Sequence, residues 1–104
     1  MTGDELRVMA LALPGTVEYP HFDRVAFKVR RTYATLAPDG ASVNLNLSPE
    51  EQTHYADLFP DTFAPVANAW GARGWTRVDL AAASAPSLDG ALRAAWTRGS
   101  AQRP

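Results

Sequence analysis

Hydrophobic and polar residues alternate along residues 24–47, and this alternation predicts three consecutive β-strands. The apolar members of the first and third strands are Val25, Phe27, Val29, Val43, Leu45 and Leu47. Because successive strand side chains point to opposite faces, the period of two predicts a sheet with one buried and one solvated face. Residues 31–32 allow a tight first turn, and residues 38–40, Pro-Asp-Gly, have the composition of a second turn.

Three segments outside this stretch have the spacing of amphipathic helices. The first covers about residues 3–12, the second begins after Ser48, and the third opens near Ser84 and is expected to fray from Gly99. The first two begin with a capping box, a hydroxyl residue followed three residues later by Glu. The capping pairs are Thr2 with Glu5 and Ser48 with Glu51. The residues that the second and third helices are predicted to bury are Tyr55, Leu58, Phe59, Leu88, Leu92, Ala95 and Trp96.

The remaining segments predict two more strands and one loop. Residues 63–66 read as a short edge strand because Pro65 cannot donate to a central ladder, and residues 75–80 read as a strong strand. Residues 16–23 are predicted to form an ordered loop. The order α-β(3)-α-β(2)-α predicts an α+β fold, a two-layer sandwich with the helices packed on one face of one antiparallel sheet. We expect a single domain over residues 1–104.

Composition excludes several classes of protein. The chain has 104 residues and no cysteine, so disulfides, thiolate metal sites and thiol catalysis are excluded. No apolar run reaches the roughly 18 residues of a membrane span, and the first residues lack the layout of a signal peptide. We therefore expect a cytoplasmic protein without a membrane partner. The formal net charge of −1 gives no overall electrostatic signal for nucleic acid.

The solvated face of the predicted sheet combines cations, amides and one large aromatic ring. The residues expected to point there are Arg24, Lys28, Arg30, Asn44, Asn46, Trp75, Arg77 and Asp79. Such groups can contact phosphates, base edges and an unstacked base, but an ordinary solvated sheet face has a similar composition. Trp75 departs most from an ordinary face, and it either marks a recognition surface or packs under the loop at residues 16–23.

The predicted hairpin tips are also basic. Arg30 and Arg31 lie at the first tip and Arg73 lies before the last strand. Three arginines correspond to about three released counterions on a phosphate backbone, which predicts weak and non-specific binding.

Catalytic and metal-binding patterns are not evident in the sequence. His21 with Asp23 lacks a nucleophile or further ligands, and His54 stands alone on the second helix. We therefore expect no catalytic residue, no metal and no cofactor. Four aromatic residues match the buried stripes and are predicted to lie in the core. They are Phe27, Tyr55, Trp70 and Trp96.

Several stretches resemble the MmcQ/YjbR family in matching order over about residues 3–98. They are Pro20-His-Phe-Asp, Val25-Ala-Phe-Lys-Val, Ala34-Thr-Leu-Ala-Pro-Asp-Gly, Asn44-Leu-Asn-Leu-Ser-Pro-Glu and Trp70-Gly-Ala-Arg-Gly-Trp-Thr-Arg-Val-Asp-Leu. The resemblance implies the fold given above, a bacterial cytoplasmic protein, and DNA binding through a double-wing arrangement of hairpins. Relatives often have a polar Asn and a His in the second hairpin, whereas this chain keeps Arg73, Trp75 and Val78 without them.

The residues and the resemblance together predict a non-enzymatic, monomeric DNA-binding protein. The residues expected to contact the partner are Lys28, Arg30, Arg31, Asn44, Asn46, Arg73, Trp75 and Arg77. The alternative is a protein-interaction or chaperone-like module that uses the same sheet face. A third hypothesis is an enzyme or binder of a small anionic ligand.

Overall fold

The computed structural model describes residues 1–101 and consists of three α-helices on one face of a six-stranded antiparallel sheet. The elements are α1 (Gly3–Leu11), β1 (Val17–His21), β2 (Arg24–Lys28), β3 (Thr32–Leu36), β4 (Ser42–Asn46), α2 (Pro49–Leu58), β5 (Phe63–Pro65), a 3₁₀ turn (Gly71–Arg73), β6 (Trp75–Asp79) and α3 (Ala85–Ser100). The strand order across the sheet is β1-β2-β3-β4-β6-β5. The predicted α+β two-layer class is confirmed, and β5 lies at the sheet edge as Pro65 indicated.

Both predicted capping boxes are present. At the start of α1 the Glu5 amide donates to the Thr2 hydroxyl at 3.1 Å, and the Thr2 amide donates to the Glu5 carboxylate at 3.0 Å. Ser48 and Glu51 make the same reciprocal pair at α2, at 3.1 and 2.9 Å. These contacts satisfy amides that have no partner within the helix, so they fix where each helix begins.

The prediction of a loop over residues 16–23 is wrong, because residues 17–21 form the edge strand β1. β1 pairs with β2 along its whole length, from Val17 opposite Lys28 to His21 opposite Arg24. Pro20 argued against a strand, but an edge strand needs hydrogen bonds on one side only and tolerates proline. The sheet therefore has four strands, not three, between α1 and α2.

The core lies between the sheet and the helices. Its fully buried side chains include Phe27, Tyr33, Leu45, Val78, Leu88 and Leu92. A shift of register between β2 and β3 pairs Phe27 with Ala34 and Lys28 with Thr32, which leaves Tyr33 as the extra residue of a bulge. The Tyr33 ring is buried, and its hydroxyl lies 2.8 Å from the Thr16 hydroxyl and 3.3 Å from the Ala10 carbonyl. Burial raises the pKa of Tyr33, and the hydrogen bond with Thr16 opposes this in part.

The buried stripe predicted for α2 is largely wrong. Tyr55 packs against the core, but Leu58 is 58% exposed and Phe59 is 39% exposed. α2 packs mainly against β5, which has only three residues, so the end of the helix has little sheet to cover it.

The fraying predicted from Gly99 is also wrong within the described residues. α3 continues through Ser100, and Gly99 is buried, with its carbonyl accepting from the Arg31 amide at 3.1 Å. A Cβ at position 99 would lie 3.0 Å from the Cβ of Tyr33, so glycine permits this close packing. Residues 102–104 of the predicted tail lie outside the described part of the chain.

Candidate functional site

The face of the sheet opposite the helices, here called the outer face, carries the residues that strand parity predicted, except Arg30, which lies beyond the end of β2. The strand register aligns them in rows across the sheet. One row contains Ala26, Thr35, Asn44 and Arg77, and beyond it Lys28 pairs with Thr32 and Asn46 pairs with Trp75. Asn44 is directly opposite Arg77, and Asn46 is directly opposite Trp75. Strands β2, β4 and β6 therefore bring together amides, cations and an indole ring, as predicted.

The outer face is not a flat solvated surface. Ala26 is fully buried and Thr35 is only 8% exposed, although no helix covers them. Tyr19 lies opposite Ala26, and its hydroxyl is hydrogen-bonded to the Thr32 hydroxyl on β3, so its ring crosses over β2. The ammonium of Lys28 lies 5.2 Å from the centre of this ring. Side chains of the outer face thus cover one another.

Arg24 performs a similar covering role beside Thr35. Its Nε donates to the Thr35 hydroxyl at 3.0 Å, and one Nη donates to the Thr35 carbonyl at 2.8 Å. Partial burial lowers the pKa of Arg24, as does Arg77, whereas Asp23 and Asp39 raise it. Arginine remains protonated at any physiological pH, so these contacts fix a positive charge on the outer face.

A concave groove of about 560 Å³ crosses this face. Its floor includes Thr35, Asn44 and Trp75, and Phe22 and Trp70 also line it. Phe22 belongs to the turn between β1 and β2, and Trp70 belongs to the loop between β5 and β6. We call this concavity the aromatic groove. Its volume is within the range of about 300–1,000 Å³ that is common for ligand pockets.

Phe22 is the most exposed large hydrophobic side chain of the described residues. It is 93% exposed, and its φ of 58° lies in the left-handed region that glycine favours. In two-residue hairpin turns a positive φ is usually taken by Gly, Asn or Asp, so a phenylalanine here is conformationally strained. The Phe22 ring packs edge-on against His21 at 4.8 Å, and His21 in turn lies 6.3 Å from the Tyr19 ring.

Trp70 does not lie in the core, so the prediction for this residue is wrong. Its side chain is 55% exposed, and the Arg73 guanidinium carbon lies 5.0 Å from the centre of its ring. The Trp70 amide donates to the Asn68 side chain at 2.9 Å. The stripe pattern that suggested burial does not apply here, because residues 66–70 form a loop.

The loop that carries Trp70 is anchored at its end to the rest of the fold. The Gln52 side chain of α2 donates to the carbonyls of Gly71 and Trp75, at 2.9 and 3.0 Å. Gly74 has a φ of 111°, and a Cβ there would lie 1.9 Å from the Leu47 carbonyl oxygen. Only glycine fits this position, so Trp70 and Trp75 are presented by a constrained backbone.

The cations that form no ion pair in the described structure lie on the outer face and at one end of the sheet. Within residues 1–101 the ion pairs are Arg7 with Glu18 at 2.7 Å and Arg93 with Asp89 at 3.0 Å, and both involve helices. Seven other cations of this part of the chain form no ion pair. They are Arg24, Lys28, Arg30, Arg31, Arg73, Arg77 and Arg98. The net charge of −1 therefore conceals an uneven distribution.

Five of these cations lie at one end of the sheet, which we call the basic end. They are Lys28, Arg30, Arg31, Arg73 and Arg98. The β2–β3 connection and the β5–β6 loop both lie at this end. Lys28, the last residue of β2, and Trp75, the first residue of β6, lie on the same side of the row that contains Ala26 and Arg77. Sequence patterns did not indicate Arg98, which approaches from the end of α3 and donates to the Asn46 side chain at 3.4 Å.

Arg31 has a structural role at the basic end. Its guanidinium donates to the Arg98 carbonyl at 3.0 Å, where a cation is favoured by the dipole at the end of α3. Arg30 is exposed and has no such contact in the described structure. Of the two adjacent arginines, Arg30 is therefore the one available to a partner.

The two histidines do not form a metal site with their neighbours. His21 lines the aromatic groove, and His54 is exposed on α2. Across residues 1–101 no group of three or more His, Asp or Glu side chains is arranged to hold a metal ion. No described helix has the length and hydrophobicity needed to cross a membrane.

The fold and this site define an α+β sandwich with an open, basic sheet face. The chain belongs to the YjbR family, whose model matches residues 11–98. The chain is also similar to a Deinococcus radiodurans protein with a DUF419 domain, known from its crystal structure. The two are 27% identical with a TM-score of 0.74, and the match covers 90% of this chain and 75% of the other. No curated protein matches the sequence.

Proposed function

We propose that this protein binds DNA through the outer face of its sheet, weakly, with little sequence preference and without catalysing a reaction. The observation that supports this most strongly is the segregation of unpaired cations. Among residues 1–101, the seven cations that form no ion pair lie on the outer face or at the basic end, and the two paired ones involve helices. Phosphate contacts of this kind supply most of the affinity in non-specific nucleic-acid binding. DNA binding is also what the resemblance to the MmcQ/YjbR family implied.

The arrangement of the basic end fits a phosphate backbone. Arg30 lies in the β2–β3 connection and Arg73 in the β5–β6 loop, and Lys28 and Trp75 are at the adjoining strand ends. A strand that passes between the two connections would meet cations on both sides. About three to five phosphate contacts predict an affinity that falls between 50 and 200 mM salt on the order of 20- to 130-fold for a single strand and 40- to 500-fold for a duplex.

The test is a titration of a fluorescent oligonucleotide at about 50 and 200 mM salt. The double variant Lys28→Gln/Arg30→Gln removes two charges from the basic end. The double variant Arg7→Gln/Arg93→Gln removes two charges from the helical side, where both arginines are ion-paired. We expect the first variant to weaken binding and to lower the salt slope by about 1–2, and the control to bind as the parent does. Equal effects of the two variants would contradict an outer-face interface.

A second candidate function is a protein-interaction module that uses the same face. It is favoured by the exposure of Phe22 and Trp70, since large exposed aromatic rings are common binding anchors. Under this hypothesis Trp75→Ala would release a partner that co-purifies with the protein, and binding would depend little on salt. A small anionic ligand in the aromatic groove is a third candidate, and a rise in Tm of more than about 3 °C on adding such a ligand would favour it.

A further inference from the structure

The aromatic groove differs from the basic end in its chemistry. Phe22, Trp70 and Trp75 line it together with the amide side chains of Asn44 and Asn68. Phosphate binding requires none of these rings. Aromatic faces combined with amides are instead the groups that stack on a nucleobase and hydrogen-bond to its edge.

We propose that the aromatic groove accepts an unstacked base, so that the preferred partner is single-stranded nucleic acid and not a duplex. The inference rests on the proposed function, because the cations of the basic end would hold the backbone while the groove receives a base. It assigns roles to Phe22 and Trp70, which sequence patterns did not indicate as binding residues. Arg24, which lines the groove with Thr35, places positive charge beside the groove floor.

The shape of the molecule favours a single strand. Bases in a duplex are stacked, and only their edges are accessible in a major groove about 12 Å wide. The molecule measures 33 × 30 × 26 Å, and the aromatic groove is recessed on its broad sheet face. Such a face does not enter a major groove, so a duplex could touch the cations but could not present the face of a base to Trp70 or Trp75. An unpaired strand has no such restriction.

The Phe22 turn supports the same conclusion independently. A bulky side chain held at a φ of 58° and 93% exposed contributes little to the core, and its backbone conformation costs about 1–2 kcal/mol. Strained residues of this kind concentrate at ligand-binding sites, because function and not stability accounts for them. Arg73 beside the Trp70 ring adds a cation that would lie near a base stacked on that ring.

The test compares three probes of equal length at about 50 mM salt: a single-stranded thymidine oligonucleotide, its duplex, and an abasic single strand with the same number of phosphates. We expect the thymidine strand to bind about tenfold more tightly than the abasic strand, because base stacking on an aromatic residue is worth about 1–3 kcal/mol per base. It should also quench the fluorescence of Trp70 and Trp75, whereas the abasic strand should not.

The variants Phe22→Gly and Trp70→Ala should bind the thymidine strand only as tightly as the parent binds the abasic strand. The salt dependence of binding should not change. Phe59→Ala removes an exposed ring from the end of α2 and should bind as the parent does. Melting curves of each variant check the fold. Equal affinity for the thymidine and abasic strands, or tighter binding of the duplex, would overturn the base-binding groove while the proposed function stands. No binding of any probe would overturn both.

Discussion

The two faces of the sheet bury their side chains in different ways. On the inner face, Phe27, Leu45 and Val78 are fully buried because three helices pack over them. On the outer face, Ala26 and Thr35 are buried by the Tyr19 ring and the Arg24 side chain, which belong to that same face. The inner face is therefore covered by secondary structure. The outer face is covered only in part, by polar and aromatic side chains, and this leaves the aromatic groove open.

The largest expected difference in stability is between alanine variants of two neighbouring residues of β2 that point to opposite faces. Phe27→Ala should lower the free energy of unfolding by about 3–5 kcal/mol, because it leaves a cavity in the core. Lys28→Ala should lower it by no more than about 1 kcal/mol, since Lys28 is exposed and loses only its contact with the Tyr19 ring. Urea denaturation of both variants measures the difference. A loss at Lys28 as large as that at Phe27 would mean that the outer face is a second core.

The next effect concerns the backbone that presents Trp70 and Trp75. Gly74→Ala should cost more than about 2 kcal/mol, because the new Cβ would meet the Leu47 carbonyl oxygen at 1.9 Å in addition to a positive φ. Gly40→Ala is the matched control, since Gly40 has a φ of 70° and the nearest atom to a Cβ lies 3.9 Å away. Gly40→Ala should cost only about 1 kcal/mol, the strain of the left-handed conformation. If both variants lost the same free energy of unfolding, the contact with the Leu47 carbonyl would not explain why residue 74 is glycine.

A smaller loss of stability is expected on removing the buried hydroxyl group of Tyr33 from the inner face. Tyr33→Phe should cost about 1 kcal/mol near pH 7, because the Ala10 carbonyl and the Thr16 hydroxyl lose a partner.

The same variant should change how stability depends on alkaline pH. Burial raises the pKa of Tyr33 in the folded state, so the stability it contributes is complete below about pH 10 and is lost as the pH rises through the raised pKa. Tyr33→Phe should therefore flatten the alkaline decrease in the free energy of unfolding. It should not abolish the decrease, because burial and Glu51 also raise the pKa of Tyr55. An unchanged alkaline slope would contradict this account of Tyr33.

Local sequence rules predicted most of the fold and about half of the candidate site. The capping boxes placed α1 and α2, and strand parity placed Asn44, Asn46, Trp75 and Arg77 on the outer face. The features that sequence rules did not predict depend on contacts between residues distant in sequence. The strand β1 is stabilised by pairing with β2 despite Pro20, and Arg98 reaches Asn46 only because α3 ends beside β4. Periodicity carries no information on such approaches.

Trp70 and Phe22 show a different limit of sequence reasoning. An aromatic residue is buried in most proteins, so the sequence alone favoured a core position for Trp70. Its exposure follows from a loop that is anchored by Gln52 and by Gly74, and only the three-dimensional structure reveals that anchoring. The Phe22 turn lacks the usual glycine or asparagine, and for this reason the hairpin between β1 and β2 was not predicted.

The smallest expected effect, and the one of opposite sign, is at Phe22. Phe22→Gly removes about 1–2 kcal/mol of left-handed strain but adds about 0.5–1 kcal/mol of chain entropy to the unfolded state. We therefore expect the variant to be as stable as the parent or more stable by up to about 1 kcal/mol, as measured by urea denaturation. Phe22→Asn, which tolerates the same φ with a smaller entropy cost, should gain slightly more. A loss of stability in both variants would show that the Phe22 ring packs against the fold. A gain in both would mean that the outer face retains a residue that the fold does not need, which is the expectation for a residue that contacts a partner.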